Sequence, residues 1–117
     1  MTTLYGIPNC DTVKRARTWL DEHGVAYTFH DFKKQGVPEA ELDQWLKKPG
    51  WEALVNRKGT TWRKLEEAIR EGVVDAASAR PVLLANPSLI KRPVVDWGPK
   101  TPVTTGFDAD AWAVNAV

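Results

Sequence analysis

The chain has 117 residues, with 16 Lys+Arg against 15 Asp+Glu for a net charge of +1, and is 43% hydrophobic and 26% charged. That suffices for one closed core in an ordinary globular domain, and so even a charge balance argues against a dedicated nucleic-acid surface. No apolar run approaches the roughly 20 residues that span a bilayer, no basic-then-apolar leader follows Met1, and the single cysteine cannot form an internal disulfide. A cytoplasmic protein with no membrane partner and no nucleic-acid partner is expected.

In chain order, Thr2 to Tyr5 reads as a short strand that Gly6 and Pro8 break. From Thr12 to His23 the apolar residues Val13, Ala16, Trp19 and Leu20 fall on one helical face, Lys14, Arg15, Arg17, Asp21 and Glu22 on the other, and Gly24 follows as the C-terminal stop. Val25 to Phe32 is β-rich and alternating, a second strand. Strand, helix and strand in so short a span predict a βαβ unit with parallel strands.

Pro38 then opens a helix carrying Leu42, Trp45 and Leu46 inward, which ends in Lys47-Lys48-Pro49-Gly50. Trp51, Leu54 and Val55 suggest one more turn, followed by a loop at Asn56-Arg57-Lys58-Gly59. Trp62, Leu65, Ala68 and Ile69 recur at helical spacing before Gly72 and predict one helix. A further helix is expected between about Asp75 and Ala85; with Ser78 as its cap, Pro81 forces a late start or a kink. Asn86 caps a short turn with Pro87 at its first position. Val94–Trp97 and Pro102–Thr104 read as a hairpin around Gly98-Pro99-Lys100, and Asp108 caps a final helix from Ala109 to about Asn115. No repeat, low-complexity run or linker interrupts the chain, so one domain over 1–117 is expected, and with it a monomer.

Chemistry concentrates on Cys10, at the junction of the first strand and first helix. A thiol there lies against unpaired helix N–H groups and the positive end of the helix dipole, which favour the nucleophilic thiolate. An arbitrary lone cysteine is more often a small buried hydrophobe; the Gly/Pro/Asn turn before it and the amphipathic helix after it favour reactivity. A dithiol site would put a second cysteine at position 13, where Val13 stands. Any adduct on Cys10 must then be resolved by an external thiol, with glutathione first and a thioredoxin-type protein second. His23 and His30 are the only histidines, and no Cys/His set has metal-ligand spacing, so no metal and no bound cofactor are expected.

The run Tyr5-Gly6-Ile7-Pro8-Asn9-Cys10-Asp11-Thr12-Val13-Lys14, with Phe29-His30-Asp31 and Pro87-Ser88-Leu89-Ile90-Lys91-Arg92-Pro93, resembles the arsenate-reductase (ArsC-like) family, most closely its Spx/YffB-type branch. The resemblance extends from Thr2 to about Val114. It implies an α/β, thioredoxin-like βαβ…ββα core with a helical insert at about 38–91. It also implies Cys10 as the catalytic nucleophile, with Arg57, Arg92, Pro93, Asn9 and Lys14 as the substrate-binding set. Guanidinium forks suit an oxyanion because they offer several donors and stay charged; on residue type alone, Arg57 would read as a solvated loop residue. The Arg92–Pro93 bond is expected to be cis and close to Cys10.

The sequence also departs from the arsenate reductases proper. Their further arginine after the hairpin is absent from Val103-Thr104-Thr105-Gly106-Phe107-Asp108, and Asp11-Thr12 replaces the Ser-Arg pair after the cysteine. Each missing charge-assisted bond weakens oxyanion binding by about 1.5–3 kcal/mol. The resemblance therefore implies first a glutathione-dependent thiol reductase, with glutathione as co-substrate and glutaredoxin or thioredoxin as candidate protein partners. An arsenate reductase comes second. A Spx-type regulator that docks on RNA polymerase comes third, because Spx carries a Cys-x-x-Cys switch that this chain lacks.

Overall fold

The computed structural model describes residues 2–115. In chain order it contains β1 (Thr2–Gly6), α1 (Asp11–Glu22), β2 (Tyr27–Asp31), α2 (Phe32–Gln35), α3 (Glu39–Trp45), α4 (Trp51–Leu54), α5 (Thr60–Lys64), α6 (Glu67–Gly72), α7 (Ala76–Ala85), a 3-10 turn at Pro87–Leu89, β3 (Val94–Asp96), β4 (Thr104–Thr105) and α8 (Ala109–Asn115). These elements form two compact units. One is built from the described residues up to Gln35 and from Arg92 onward, the other from Gly36–Lys91.

The first unit holds one four-stranded sheet in the order β2-β1-β3-β4. β1 pairs parallel with β2, as the βαβ pattern predicts, and antiparallel with β3, which pairs antiparallel with β4. α1 turns Val13, Ala16 and Leu20 into a core with Leu4, Val95, Trp97 and Trp112. Its C-terminus closes as the glycine signal predicts. Gly24 adopts φ 66°, its N–H donates to Asp21 O at 3.2 Å, and the Val25 N–H donates to Leu20 O at 2.9 Å, the paired bonds of a Schellman stop.

That stop engages Val25, so β2 starts at Tyr27 rather than Val25. It ends one residue before Phe32 because the buried Asp31 carboxylate accepts from the N–H groups of Lys33 and Lys34 at 2.8 and 3.4 Å and starts α2. The second hairpin strand is also displaced. It is Thr104–Thr105, not Pro102–Thr104, with Val94 opposite Thr105 and Val95 opposite Thr104; Pro102 has no N–H to give a ladder. Asp108 caps α8 through the N–H groups of Asp110 and Ala111, at 3.1 and 3.3 Å.

In the second unit α3 buries Leu42 and Trp45, with Leu46 just beyond. The chain then breaks where Lys48 turns extended (φ −156°, ψ 116°) ahead of a cis Lys48–Pro49 bond. The single helix expected around Trp62–Ile69 is two, α5 and α6, because Leu65 and Glu66 are extended (ψ 147° and 145°). Neither piece buries a residue, so no packed face holds the full helical period together. α7 fills the expected span, but Asp75, not Ser78, is its cap, and Ser78 is the third helical residue of a reciprocal capping box. The helix runs through Pro81 to Ala85. Asn86 stands at the head of the Pro87–Leu89 turn, but its side-chain amide donates backward to Val82 O at 3.0 Å. A bridge between Val55 and Ile90 ties the middle of this unit to its end.

Candidate active site

β1 ends at Gly6, and Ile7-Pro8-Asn9 leads into Cys10 at the N-cap of α1, with φ −83° and ψ 124°. The backbone of Cys10 is fully used: its N–H donates to Ile7 O at 3.1 Å, and its carbonyl accepts from the Lys14 N–H at 2.9 Å. Its side chain makes no capping bond. The residue is half-buried against the core around Val13 and Trp112, so one flank is packed while the sulfur is not engaged as a cap. Asp11 supplies a negative charge in the first turn, where the helix dipole favours it. Asn9 and Lys14 are exposed on either side of Cys10.

Sheet register brings a second segment to the same place. Val94 lies opposite Tyr5, so Pro93, one residue earlier, enters beside the Gly6 end of β1, from which the Cys10 loop departs. The Arg92–Pro93 bond is cis, as expected. Pro93 is buried, and its carbonyl accepts from the Gly106 N–H at 2.9 Å. Arg92 is half-buried; its Nε is buried and, among the described residues, has no hydrogen-bond partner. A guanidinium offers several charged donors in one plane, which suits a carboxylate or an oxyanion.

Asn9, Cys10, Lys14, Arg92 and Pro93 thus all belong to the sheet-bearing unit, at the end of the sheet where β1 stops. Arg57 belongs to the helical unit. It is exposed, and its guanidinium carbon lies over the rings of Trp51 and Trp62, 5.1 and 5.8 Å from their centroids. The turn that carries it is shaped by Asn56, whose Oδ1 accepts the Lys58 N–H at 3.1 Å. This stacking is not apparent in the sequence, although tryptophans flank the Asn56–Gly59 loop on both sides.

His30 sits in β2 opposite Tyr5, in an aromatic group with Tyr5 and Phe32 at 5.1 and 5.9 Å. His23 stacks on Trp19 at 3.9 Å, and its Nδ1 bonds the Trp19 carbonyl at 2.8 Å. Among the described residues, no group of three or more His, Cys, Asp or Glu is placed to hold a metal. No helix among them is long and apolar enough to cross a membrane.

The ArsC family sequence model matches residues 5–115, which include the Cys10 junction, Arg57 and the Arg92–Pro93 segment. The chain belongs to the ArsC family. A solved protein named YFFB is 48% identical, covers 100% of both chains and superposes with a TM-score of 0.92. The solution structure of an arsenate reductase (ArsC) related protein from Brucella melitensis is 50% identical, covers 97% of this chain and 92% of its own, and has a TM-score of 0.74. The global transcriptional regulator Spx of Streptococcus agalactiae is 31% identical over 81% of this chain and 69% of its own length. The sheet-bearing unit is the thioredoxin-like βαβ…ββα arrangement of this family, and the ArsC relatives include both reductase-related proteins and regulators.

Proposed function

We propose that this ArsC-family protein is a thiol reductase that works through Cys10 and uses glutathione as the resolving thiol. The observation that carries the reading is the state of Cys10: a half-buried cysteine at the N-cap of α1, with its backbone satisfied and its side chain not used as a cap. Half-buried Arg92, on the segment entering beside β1, offers a guanidinium that suits an anionic substrate group at the same end of the sheet.

The chemistry balances with one protein thiol. The Cys10 thiolate attacks a substrate disulfide, forms a mixed disulfide and releases one substrate thiol, which takes up a proton. One glutathione thiolate then displaces the second substrate thiol, leaving Cys10 linked to glutathione. A second glutathione frees Cys10 and departs as glutathione disulfide. The chain has no second cysteine for an internal route. Glutaredoxin or thioredoxin could replace glutathione in the last step.

Arsenate reduction is the second reading, supported by the family. It ranks lower because 103–108 contains no basic residue, and a compact, highly charged oxyanion depends on being surrounded. The test is mass spectrometry of the protein with oxidised glutathione, beside an arsenate assay coupled to glutathione and glutaredoxin. The expected result is a glutathione adduct on Cys10, lost in Cys10→Ser, forming more readily than arsenate is turned over. Robust arsenate turnover that depends on Cys10 and Arg92 would reverse the order. No reaction in either assay would favour a binding protein of the Spx kind.

A further inference from the structure

Cys10, Lys14, Thr18 and Glu22 follow one another at four-residue spacing and so share one ridge of α1, with Arg15 and Trp19 on the next. Lys14, Arg15, Thr18, Trp19, Glu22 and Phe107 line an open groove of about 290 Å³. Its apolar walls are anchored, because Trp19 and Phe107 both meet the buried Trp112 edge-on, at 5.6 and 4.8 Å between ring centroids. Phe107 is positioned by Gly106, whose left-handed backbone (φ 77°) brings its N–H to the Pro93 carbonyl. The groove is thereby tied to both segments of the candidate active site.

Its charges are ordered. Lys14 and Arg15, nearest Cys10, are exposed, and among the described residues neither has a carboxylate within ion-pair distance. The Arg15 guanidinium makes a long hydrogen bond, 3.5 Å to Thr12 Oγ1. Glu22 stands at the far end, about 12 Å farther along the helix axis than Lys14. The groove therefore favours an occupant with a carboxylate near Cys10 and uncharged, partly apolar atoms beside Trp19 and Phe107. A carboxylate placed farther along would meet Glu22.

We propose that this groove anchors the carboxylate-bearing arm of a glutathione unit joined to Cys10, with its glycyl carboxylate at Lys14 and Arg15. The proposal rests on the reading of Cys10 as the reacting thiol. The lengths agree: one helical turn separates Cys10 from Lys14, about 6 Å, and two extended residues span about 7 Å from the glutathione cysteine to its carboxylate end. The covalent step is exchange. The Cys10 sulfur attacks one sulfur of glutathione disulfide, the new sulfur–sulfur bond forms as the old one breaks, and the departing glutathione thiolate takes up a proton.

The test compares rates of Cys10 modification by three disulfides in the intact protein: anionic glutathione disulfide, neutral 2-hydroxyethyl disulfide and cationic cystamine. Taking each rate relative to the neutral reagent removes any change in the reactivity of the sulfur itself. K14E/R15E should lower the relative rate with glutathione disulfide by about fivefold or more, as expected for two exposed charge contacts, and raise that with cystamine. Thr18→Trp fills the groove without changing charge and should also lower the relative glutathione rate. In the unaltered protein, added salt should erode the preference for glutathione. Unchanged relative rates in the variants and in salt, with Cys10 still reacting with the neutral disulfide, would overturn the groove and leave the reductase reading standing. A Cys10 that reacts with none of the three would overturn the reductase reading, and the groove with it.

Discussion

A Cβ atom placed on Gly6 would fall 2.9 Å from Cγ2 of Val13. Gly6 is the last residue of β1, and Val13 is wholly buried in the first turn of α1, so glycine lets helix and strand approach closely at the element that carries Cys10. Val13 is β-branched and stiff, and cannot swing aside cheaply. Gly6→Ala is expected to destabilise the protein by about 1–3 kcal/mol through overpacking. Denaturant unfolding measures this. In the Gly6→Ala background, Val13→Ala should cost less than it does alone, because it removes the clash as well as the packing.

Asp75 gives a pH-dependent prediction. Its carboxylate accepts from the Ser78 hydroxyl at 2.7 Å and the Ser78 N–H at 2.8 Å, and these bonds hold it below the ordinary aspartate range. A carboxyl group lowered in the folded state adds stability at pH values above its unfolded value of about 3.9, and that contribution disappears as pH falls through the folded value. Asp75→Ala should lower the thermal midpoint at neutral pH and flatten the acid limb of the stability curve. Asp75→Asn keeps an acceptor at the cap and should retain most of the neutral-pH midpoint while still removing the acid-dependent part.

Much of this architecture is legible along the chain because the signals are local. Val13, Ala16 and Leu20 repeat at helical spacing, Gly24 supplies the left-handed stop, Asp108 precedes the N–H groups it caps, and the parallel pairing of β1 with β2 follows from the short βαβ span. The misreadings fall where two local signals compete or where a contact joins distant residues. Asp75 and Ser78 are both good caps, and only the reciprocal bonding shows Asp75 to be the start. Trp62, Leu65 and Ile69 keep a helical period, yet without a buried face the period breaks at Leu65. Cys10 and Arg92-Pro93 are readable as candidates from their short motifs. The groove of Trp19 and Phe107 is not, since it depends on Trp112 packing against both.

Arg57 offers a test of charge against stacking. Its guanidinium lies over Trp51 and Trp62 on an exposed loop, where a cation–π contact contributes about 0.5–1 kcal/mol. Arg57→Lys keeps the charge and loses the flat face, so it should lose nearly as much stability as Arg57→Ala in unfolding measurements. If Arg57 also holds a substrate anion, kcat/KM in the glutathione-coupled assay should fall more in Arg57→Ala than in Arg57→Lys. Parallel behaviour of stability and activity across the two variants would reduce Arg57 to a structural residue.

Arg92 should behave differently, because it is half-buried on the segment entering beside the Gly6 end of β1, where a planar guanidinium can offer two N–H groups side by side. A lysine at this position keeps the positive charge but offers no planar pair of donors. If substrate anions are held by that pair, Arg92→Lys should lose nearly as much as Arg92→Ala. The expected size is that of one charge-assisted bond, about 1.5–3 kcal/mol, or roughly 10- to 150-fold in kcat/KM for glutathione-coupled reduction. Modification of Cys10 by the neutral 2-hydroxyethyl disulfide should change much less, because that reagent presents no anion to the guanidinium. Wild-type kcat/KM in Arg92→Lys would mean that charge alone is used and that the planar pair of donors has no role in substrate binding. Equal losses with the neutral and the anionic disulfide would instead mean that Arg92 acts on the sulfur of Cys10 or on the fold around it, which the unfolding midpoint of the same variants separates.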